Sequence, residues 1–298
     1  MAAMPLSLLR HIAACNNTPS LDHLLPFRLG GAEAGRVAPG LAEALAGRVE
    51  GFRLGREGLE MAEALDSPES RSAALAEAGR ALAAEGWLRV RGEMFDIRAA
   101  AEGPVLGRLD RGAIPAFGVI GHGVHLNGLV RRRDGLHVWV GVRSRSKAVA
   151  PGQLDNLVGG GVSAGLTPEA TLLKEAEEEA SIPPALAARA RRVGRVSYVL
   201  TLPEGLRRDV LHLFDLELPE DFTPAPHDDE VERFELWPAR RLLECVRETE
   251  AVKFNVNLVL IDLFLREGLI PPDSAEGRAL RAGLDQGVGA PPDGGRYF

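Results

Sequence analysis

The chain is predicted to be an α+β protein, with a larger domain of helices covering a mostly antiparallel sheet and a smaller α+β domain ahead of it. Three observations predict this. Its 298 residues, 45% of them hydrophobic, suffice for one large or two modest cores. The first hundred or so residues mix short strand-like stretches with long helical ones, and a loop around EGPVLGRLDRGAIP separates them from the rest. Beyond that loop, strand patterns come first, then an acidic helix, more strands and closing helices. The expected units are an N-terminal domain over 1–112, a main domain over 113–270 and a Gly/Pro-rich tail over 271–298.

In chain order, PFRLGG (26–31) and GFRLGREG (51–58) read as brief strands or turns, and GLAEALAG (40–47) as a helix. SPESRSAALAEAGRALAAEG (67–86) begins as helices do: Ser67 can cap, Pro68 suits the first turn, and Glu69 meets the positive helix end. Gly86 stops it. WLRVRGEMFDIRA (87–99) alternates as a half-buried strand does. AFGVIGHGVHLNGLVRR and LHVWVGVRS are strands joined by a hairpin turn at RRDG, and DNLVGGG is a third. A helix over 168–180 follows. RVGRVSYVLTLP, DVLHLFDLELP and VERFELWP extend the sheet, and helices at 239–248 and 252–268 close it. Trp139 is expected in the core.

The formal charge of -7 and pI near 5.6 argue against a nucleic-acid partner, which needs a net basic face. Cys15 and Cys245 are the only cysteines, too few for a disulfide framework, so a reducing setting is expected. The longest apolar helical stretch is broken by Asp262, so no membrane partner is expected, and the start lacks a basic leader. A cytoplasmic location is the expectation.

The stretch DNLVGGGVSAGLTPEATLLKEAEEEASIP (155–183) carries the chemistry. On a helix, Glu175, Glu178 and Glu179 share a face and Glu177 lies roughly opposite. Converging carboxylates repel unless cations neutralise them, and hard oxygen donors suit Mg²⁺ or Mn²⁺. An acidic run taken alone is more often a solvated helix face. Three glycines leading into this helix change the balance, because they let backbone approach a ligand closely.

The stretch resembles a Nudix box, G-x5-E-x7-R-E-U-x-E-E-x-G-U. In that register Gly160 is the first glycine, Lys174 stands at the arginine, Glu175 at the next glutamate, and Glu178 and Glu179 at the pair. Leu166 replaces the early glutamate, Lys174 the arginine, and Ser181 the glycine. The resemblance implies an α/β/α sandwich around a mixed sheet and hydrolysis of a diphosphate linked to a group X. It also implies a divalent metal held by Glu175, Glu178, Glu179 and the carbonyl of Gly160. Lys174 would orient a glutamate, with a looser grip than an arginine fork. The general base is left open among Glu178, Glu179 and the late-loop residues Glu230 and Glu232.

With FGVIGHGVHLNGLV and SRSKAVAPGQLDNLVGGGVSAGL, the box resembles a subgroup whose Nudix domain follows an N-terminal domain of uncharacterised type. That subgroup includes the portion associated with thiamine pyrophosphokinase in fungi and plant plastid proteins. It implies thiamine diphosphate, or its oxo and oxy forms, as substrate, with the monophosphate and phosphate as products. Nothing in composition or spacing shows a thiamine pocket. Candidate substrate contacts are Lys147, Asn156, Arg145, His125 and Asn127, with Arg143 among the cations; each could equally serve the scaffold. The alternatives are nucleoside diphosphate derivatives such as ADP-ribose as substrate, or a catalytically silent ligand-binding module. A homodimer is expected from the resemblance alone.

Overall fold

The computed structural model describes residues 7–146, 149–227 and 229–284. The elements run α1 (Leu9–Cys15), β1 (Leu25–Leu29), β2 (Ala32–Val37), α2 (Pro39–Arg48), β3 (Phe52–Gly55), β4 (Gly58–Met61), α3 (Pro68–Ala84), β5 (Met94–Ile97), β6 (Gly107–Asp110) and α4 (Ile114–Phe117). The second part follows as β7 (Ile120–Arg132), β8 (Gly135–Arg143), β9 (Leu154–Asp155), β10 (Val158–Gly161), α5 (Pro168–Ala180), α6 (Pro184–Ala187), β11 (Arg191–Leu202), β12 (Gly205–Glu217) and β13 (Val231–Pro238). Helices α7 (Ala239–Glu248), α8 (Val256–Arg266) and α9 (Ala275–Leu284) come last.

Among the described residues, β2-β1-β4-β3 form one sheet, β5 and β6 a ribbon, and β11-β12-β7-β8-β13 the main path of a larger sheet, with β10 on β7 and β9 on β8. In the larger sheet the β12–β7 pairing is parallel and its neighbours are antiparallel, so the sheet is mixed. The fold is α+β as expected. The long strand β7 has two jobs: Gly123–Leu126 pairs with β10, and Gly128–Arg132 with β8.

Three apolar clusters hold these layers. Phe27, Phe52, Leu75 and Phe117 belong to the first, which runs on to Val119. The second packs α7, α8 and α9 onto one face of the larger sheet, and the third packs α5 onto the other. Trp139 is buried in the third, as expected for the core. Helix α3 begins with the cap anticipated at Ser67, and Ser70 reciprocates it to form a capping box.

Two features lie outside the sequence reading. Helix α1, early in the chain, buries Leu8, Ile12 and Cys15 in the second cluster, and Arg10 donates to the backbone oxygens of Val246, Arg247 and Thr249 at the end of α7. Within the stretch set apart as a tail, α9 buries Leu280 and Leu284 in the same cluster. The strand expected over 87–99 is confined to β5, because Asp110 bends the chain ahead of it by accepting from the amides of Arg91 and Gly92.

Helix α5 starts at Thr167, whose hydroxyl accepts from the Ala170 amide at 3.1 Å, with Pro168 in the first turn. It ends at Ser181, which adopts φ 52°, ψ 35°, while Ile182 donates back to Ala176. That left-handed conformation is the physical role of a glycine at this position, and serine bears it at a cost. Ser181→Gly is therefore expected to raise the unfolding free energy by about 0.5–1 kcal/mol, measured by denaturant titration; a loss of stability would show that the Ser181 side chain has a role of its own.

Candidate metal and diphosphate site

Strand β10 carries Gly159, Gly160 and Gly161 against β7, with Gly160 opposite Val124, a residue of the α5-facing cluster. A Cβ on Gly160 would stand 2.5 Å from the carboxyl carbon of Glu175, so this glycine is what lets the helix carboxylate lie on the strand. Gly161 makes room in the same way for the ring of Phe95, at 2.4 Å from the position its Cβ would take. Neither has a positive φ; close approach, not an unusual torsion, explains both.

The Gly159 amide donates to Oε2 of Glu179 at 3.0 Å. Glu179 is buried, Glu175 half-buried, and Glu178 and Glu177 exposed. Lys174 bridges two members of the set, at 2.7 Å from Glu178 and 3.2 Å from Glu175. From the position of the box arginine it thus contacts two glutamates.

The electrostatics show a site short of positive charge. Burial pushes the Glu179 carboxyl up to about 8; the Gly159 amide opposes this, while Asp155, Glu175 and Glu230 add to it. Burial also raises Glu175, against the pull of Lys174 and with the help of Glu178 and Glu93. Carboxylates whose proton affinity is raised because they are buried together are a donor set that a hard divalent cation would satisfy. As they stand, with Lys174 holding Glu175 and Glu178, no group of three or more His, Cys, Asp or Glu side chains among the described residues is gathered to ligand spacing.

The late loop reaches this cluster unevenly. Glu230 acts electrostatically on Glu179, and its backbone oxygen accepts from Ser144. Glu232 accepts from the Arg145 amide at 3.3 Å and pairs with Arg233, pointing it to a scaffold role.

The candidate substrate contacts separate into two groups. His125, Asn156 and Asn127 are buried and satisfy one another: His125 Nδ1 meets Asn156 Oδ1 at 2.8 Å, and Asn156 Nδ2 donates to Asn127 at 2.9 Å. Asn127 then donates to Asp215 at 2.9 Å, and Asp215 pairs with Arg266 of α8. Burial, with Lys253 nearby, lowers His125 to about 4, so it is neutral at pH 7. Arg143 is buried against Asp155 at 2.6 Å. Burial would raise Asp155, but Lys253 and Arg143 hold it at about 2. Arg145 is exposed on the loop that follows β8. Lys147 lies outside the described residues.

The N-terminal domain also reaches the site, which local sequence patterns gave no means of seeing. Glu93 accepts from Ser163 at 2.8 Å, Met94 accepts from the Ala164 amide at 2.7 Å, and Asp96 accepts from the Gly165 amide at 3.1 Å. The loop between β10 and α5 is thus held by β5 and the residue before it. Beside it opens a cavity of about 250 Å³ lined by Phe95, Val162, Leu166, His122, Arg192 and His212, among others. Leu166, at the early glutamate position, faces this cavity. His122 Nδ1 lies 3.1 Å from His212 Nε2, and His212 Nδ1 lies 2.7 Å from the Arg192 guanidinium. Burial lowers His122 to about 4, with Arg98 adding, and His212 to about 3, with Arg192 adding.

Comparison with known proteins bears on this arrangement. A model described as a NUDIX domain matches residues 122–257, and one described as a domain of unknown function (DUF4743) matches residues 7–121. "Nudix hydrolase 24, chloroplastic" of Arabidopsis thaliana is 36% identical over 270 residues, 89% of this chain and 74% of that protein. "Nudix hydrolase 20, chloroplastic" of the same plant is 42% identical over 212 residues, 71% of this chain; the match spans 57% of that protein. Among solved structures, DR0079 from Deinococcus radiodurans is 25% identical at a TM-score of 0.45, covering 56% of this chain and 97% of its own. No helix among the described residues is long and apolar enough to cross a membrane.

The Glu179 carboxyl sets a pH dependence. Folded, it holds its proton up to about 8; unfolded, it releases it near 4.5. Between those values the folded state binds more protons, so this group's contribution to stability falls as pH rises. In chelator, thermal unfolding should show Glu179→Gln gaining on the parent protein steadily from pH 5 to 8. Parallel curves would place the Glu179 carboxyl in ordinary solvent.

Proposed function

Because the chain belongs to the Nudix hydrolase family, we propose that it hydrolyses the diphosphate bond of a small molecule, with Mg²⁺ or Mn²⁺ as the metal and thiamine diphosphate or its oxo and oxy forms as the leading substrate. The observation that carries the reading is the pair of carboxylates laid on consecutive strand residues, Glu175 on Gly160 and Glu179 on the Gly159 amide. Glu175, Glu178, Glu179 and the Gly160 carbonyl are the proposed metal ligands. When bound, a divalent cation supplies Lewis-acid stabilisation of the phosphate oxygens and lowers the pKa of an attacking water.

The chain's own groups do the rest. Lys174 positions Glu175 and Glu178 and adds a positive charge beside the phosphate. The buried face of α5 on β10 keeps the carboxylates in low dielectric, where their charges act strongly. Glu230, which acts electrostatically on Glu179 and is not among the proposed ligands, is the proposed general base for the attacking water. Arg145 is the described cation of the candidate set with an exposed side chain, and it is the proposed contact for the outer phosphate. His125, Asn127 and Asn156 are proposed to act from beneath, fixing the strand on which the glycines lie. The thiamine assignment and a homodimer rest on the subgroup resemblance, and a cytoplasmic setting on the sequence reading.

Product analysis with Mg²⁺ and a panel of thiamine diphosphate, its oxo and oxy forms, ADP-ribose and a dinucleotide polyphosphate tests the reading. A thiamine-type diphosphate should give the monophosphate and phosphate with the highest kcat/KM, whereas far faster cleavage of ADP-ribose would overturn the substrate assignment. The double variant Glu178→Gln, Glu179→Gln should lose at least about 100-fold in kcat with its thermal transition retained. Undiminished turnover in that variant would defeat the metal-site assignment.

A further inference from the structure

The cavity between the two domains has a proton arrangement that its geometry dictates. A guanidinium can only donate, so Arg192 gives its proton to Nδ1 of His212. His212 is neutral, so its own proton sits on Nε2 and is donated to Nδ1 of His122. His122 is neutral in turn, and its proton must be on Nε2. That atom is buried and has no hydrogen-bond partner among the described residues. The two rings stack at 5.4 Å with 14° between their planes, which fixes where the proton points. An unmatched buried donor costs free energy that a ligand's acceptor can recover.

The charges around the cavity are already engaged. Arg98 pairs with Asp96 and donates to the Gly103 oxygen, and Arg192 is shared between His212 and Glu169. Little positive charge is left over for a phosphate. Phe95, Val162 and Leu166 supply the apolar part of the lining beside the imidazoles. A flat ring with an acceptor on its edge matches such a lining. About 250 Å³ is small beside the roughly 300–1,000 Å³ of sites for drug-sized ligands, so the space suits one ring system and not a whole dinucleotide. The Phe95 ring also packs on Gly161, the residue after Gly160, from the opposite face of the strand to Glu175.

We propose that this cavity receives the heteroaromatic group of the diphosphate substrate, with His122 Nε2–H donating to a ring nitrogen or ring carbonyl and Phe95 of the N-terminal domain packing against the ring. This rests on the diphosphatase reading above and deepens it: the N-terminal domain supplies half of the specificity site. Phosphates remain at the glycine strand, and the ring is read in the cavity beside the loop from β10 to α5.

Two variants and one spectrum test it. Leu166→Trp fills the cavity from its exposed mouth, and His122→Phe removes the donor while keeping a ring. For the best heteroaromatic diphosphate of the panel, each should raise KM at least tenfold while kcat changes less than threefold. For methyl diphosphate, which has no ring, KM should not move. In ¹⁵N spectra at neutral pH the His122 Nε2–H resonance should shift on addition of thiamine monophosphate, AMP or both, and Leu166→Trp should abolish the shift. Unchanged KM in Leu166→Trp, or no ¹⁵N shift with either probe, overturns the proposal. If no diphosphate is hydrolysed yet the ¹⁵N resonance still moves, the catalytic reading fails and the ring site stands; Leu166→Trp, altering a surface side chain, serves should His122→Phe not fold.

Discussion

Everything proposed for this protein depends on one contact, the carboxyl of Glu175 lying on the bare backbone of Gly160. A methyl group at that position would meet the end of the Glu175 side chain and turn its carboxyl away from the strand. Around it the Gly159 amide on Glu179 and the third apolar cluster, with Leu172 and Ala176 of α5 in it, hold the helix on the strand. The same closeness creates the electrostatic problem of the site, since it removes carboxylates from water. Lys174 relieves part of that through two ion pairs at its exposed edge, and the buried Glu179 keeps its high proton affinity.

Behind the glycine strand lies a polar system that holds it in register. Asp155 is neutralised by Arg143 and Lys253, while the His125, Asn156, Asn127 series continues through Asp215 to Arg266, Asp262 and Arg281. Such buried pairs add little net stability against apolar replacements, but removal of one partner strands the other. Their effect is to tie the face bearing α5 to the face bearing α8 and α9. A strand so anchored has little freedom to move when a charged ligand arrives.

Legibility in the sequence followed sequence distance. The carboxylate face of α5 could be read because residues three and four apart meet on any helix, and the contacts of Lys174 because its partners are one and four residues away. Ser181 was visible as a departure from the box, although only its backbone angles explain what the glycine is for. His125, Asn127 and Asn156 stood out as polar residues in strand-like stretches; that they bond to one another depends on the pairing of β10 with β7, which no local pattern specifies. Phe95, Glu93 and the His122 to His212 contact were hidden for the same reason, each joining segments from different parts of the chain. Helix α9 was obscured by the glycines and prolines around it.

The placement of α1 has a consequence for how the molecule is assembled. Leu8, Ile12 and Cys15 share a core with Leu280 and Leu284, and Ile12 lies beside Gly283. An early segment therefore waits for a late one, and the loop closed between them is nearly the full described chain. Closing so long a loop costs conformational entropy that local contacts cannot repay, so it belongs to a late step in folding. During synthesis the first sheet can form while α1 is still without its partners. The larger sheet is sealed on its α8 face only when α9 has emerged, making completion of that core a late checkpoint that joins α1 to α9.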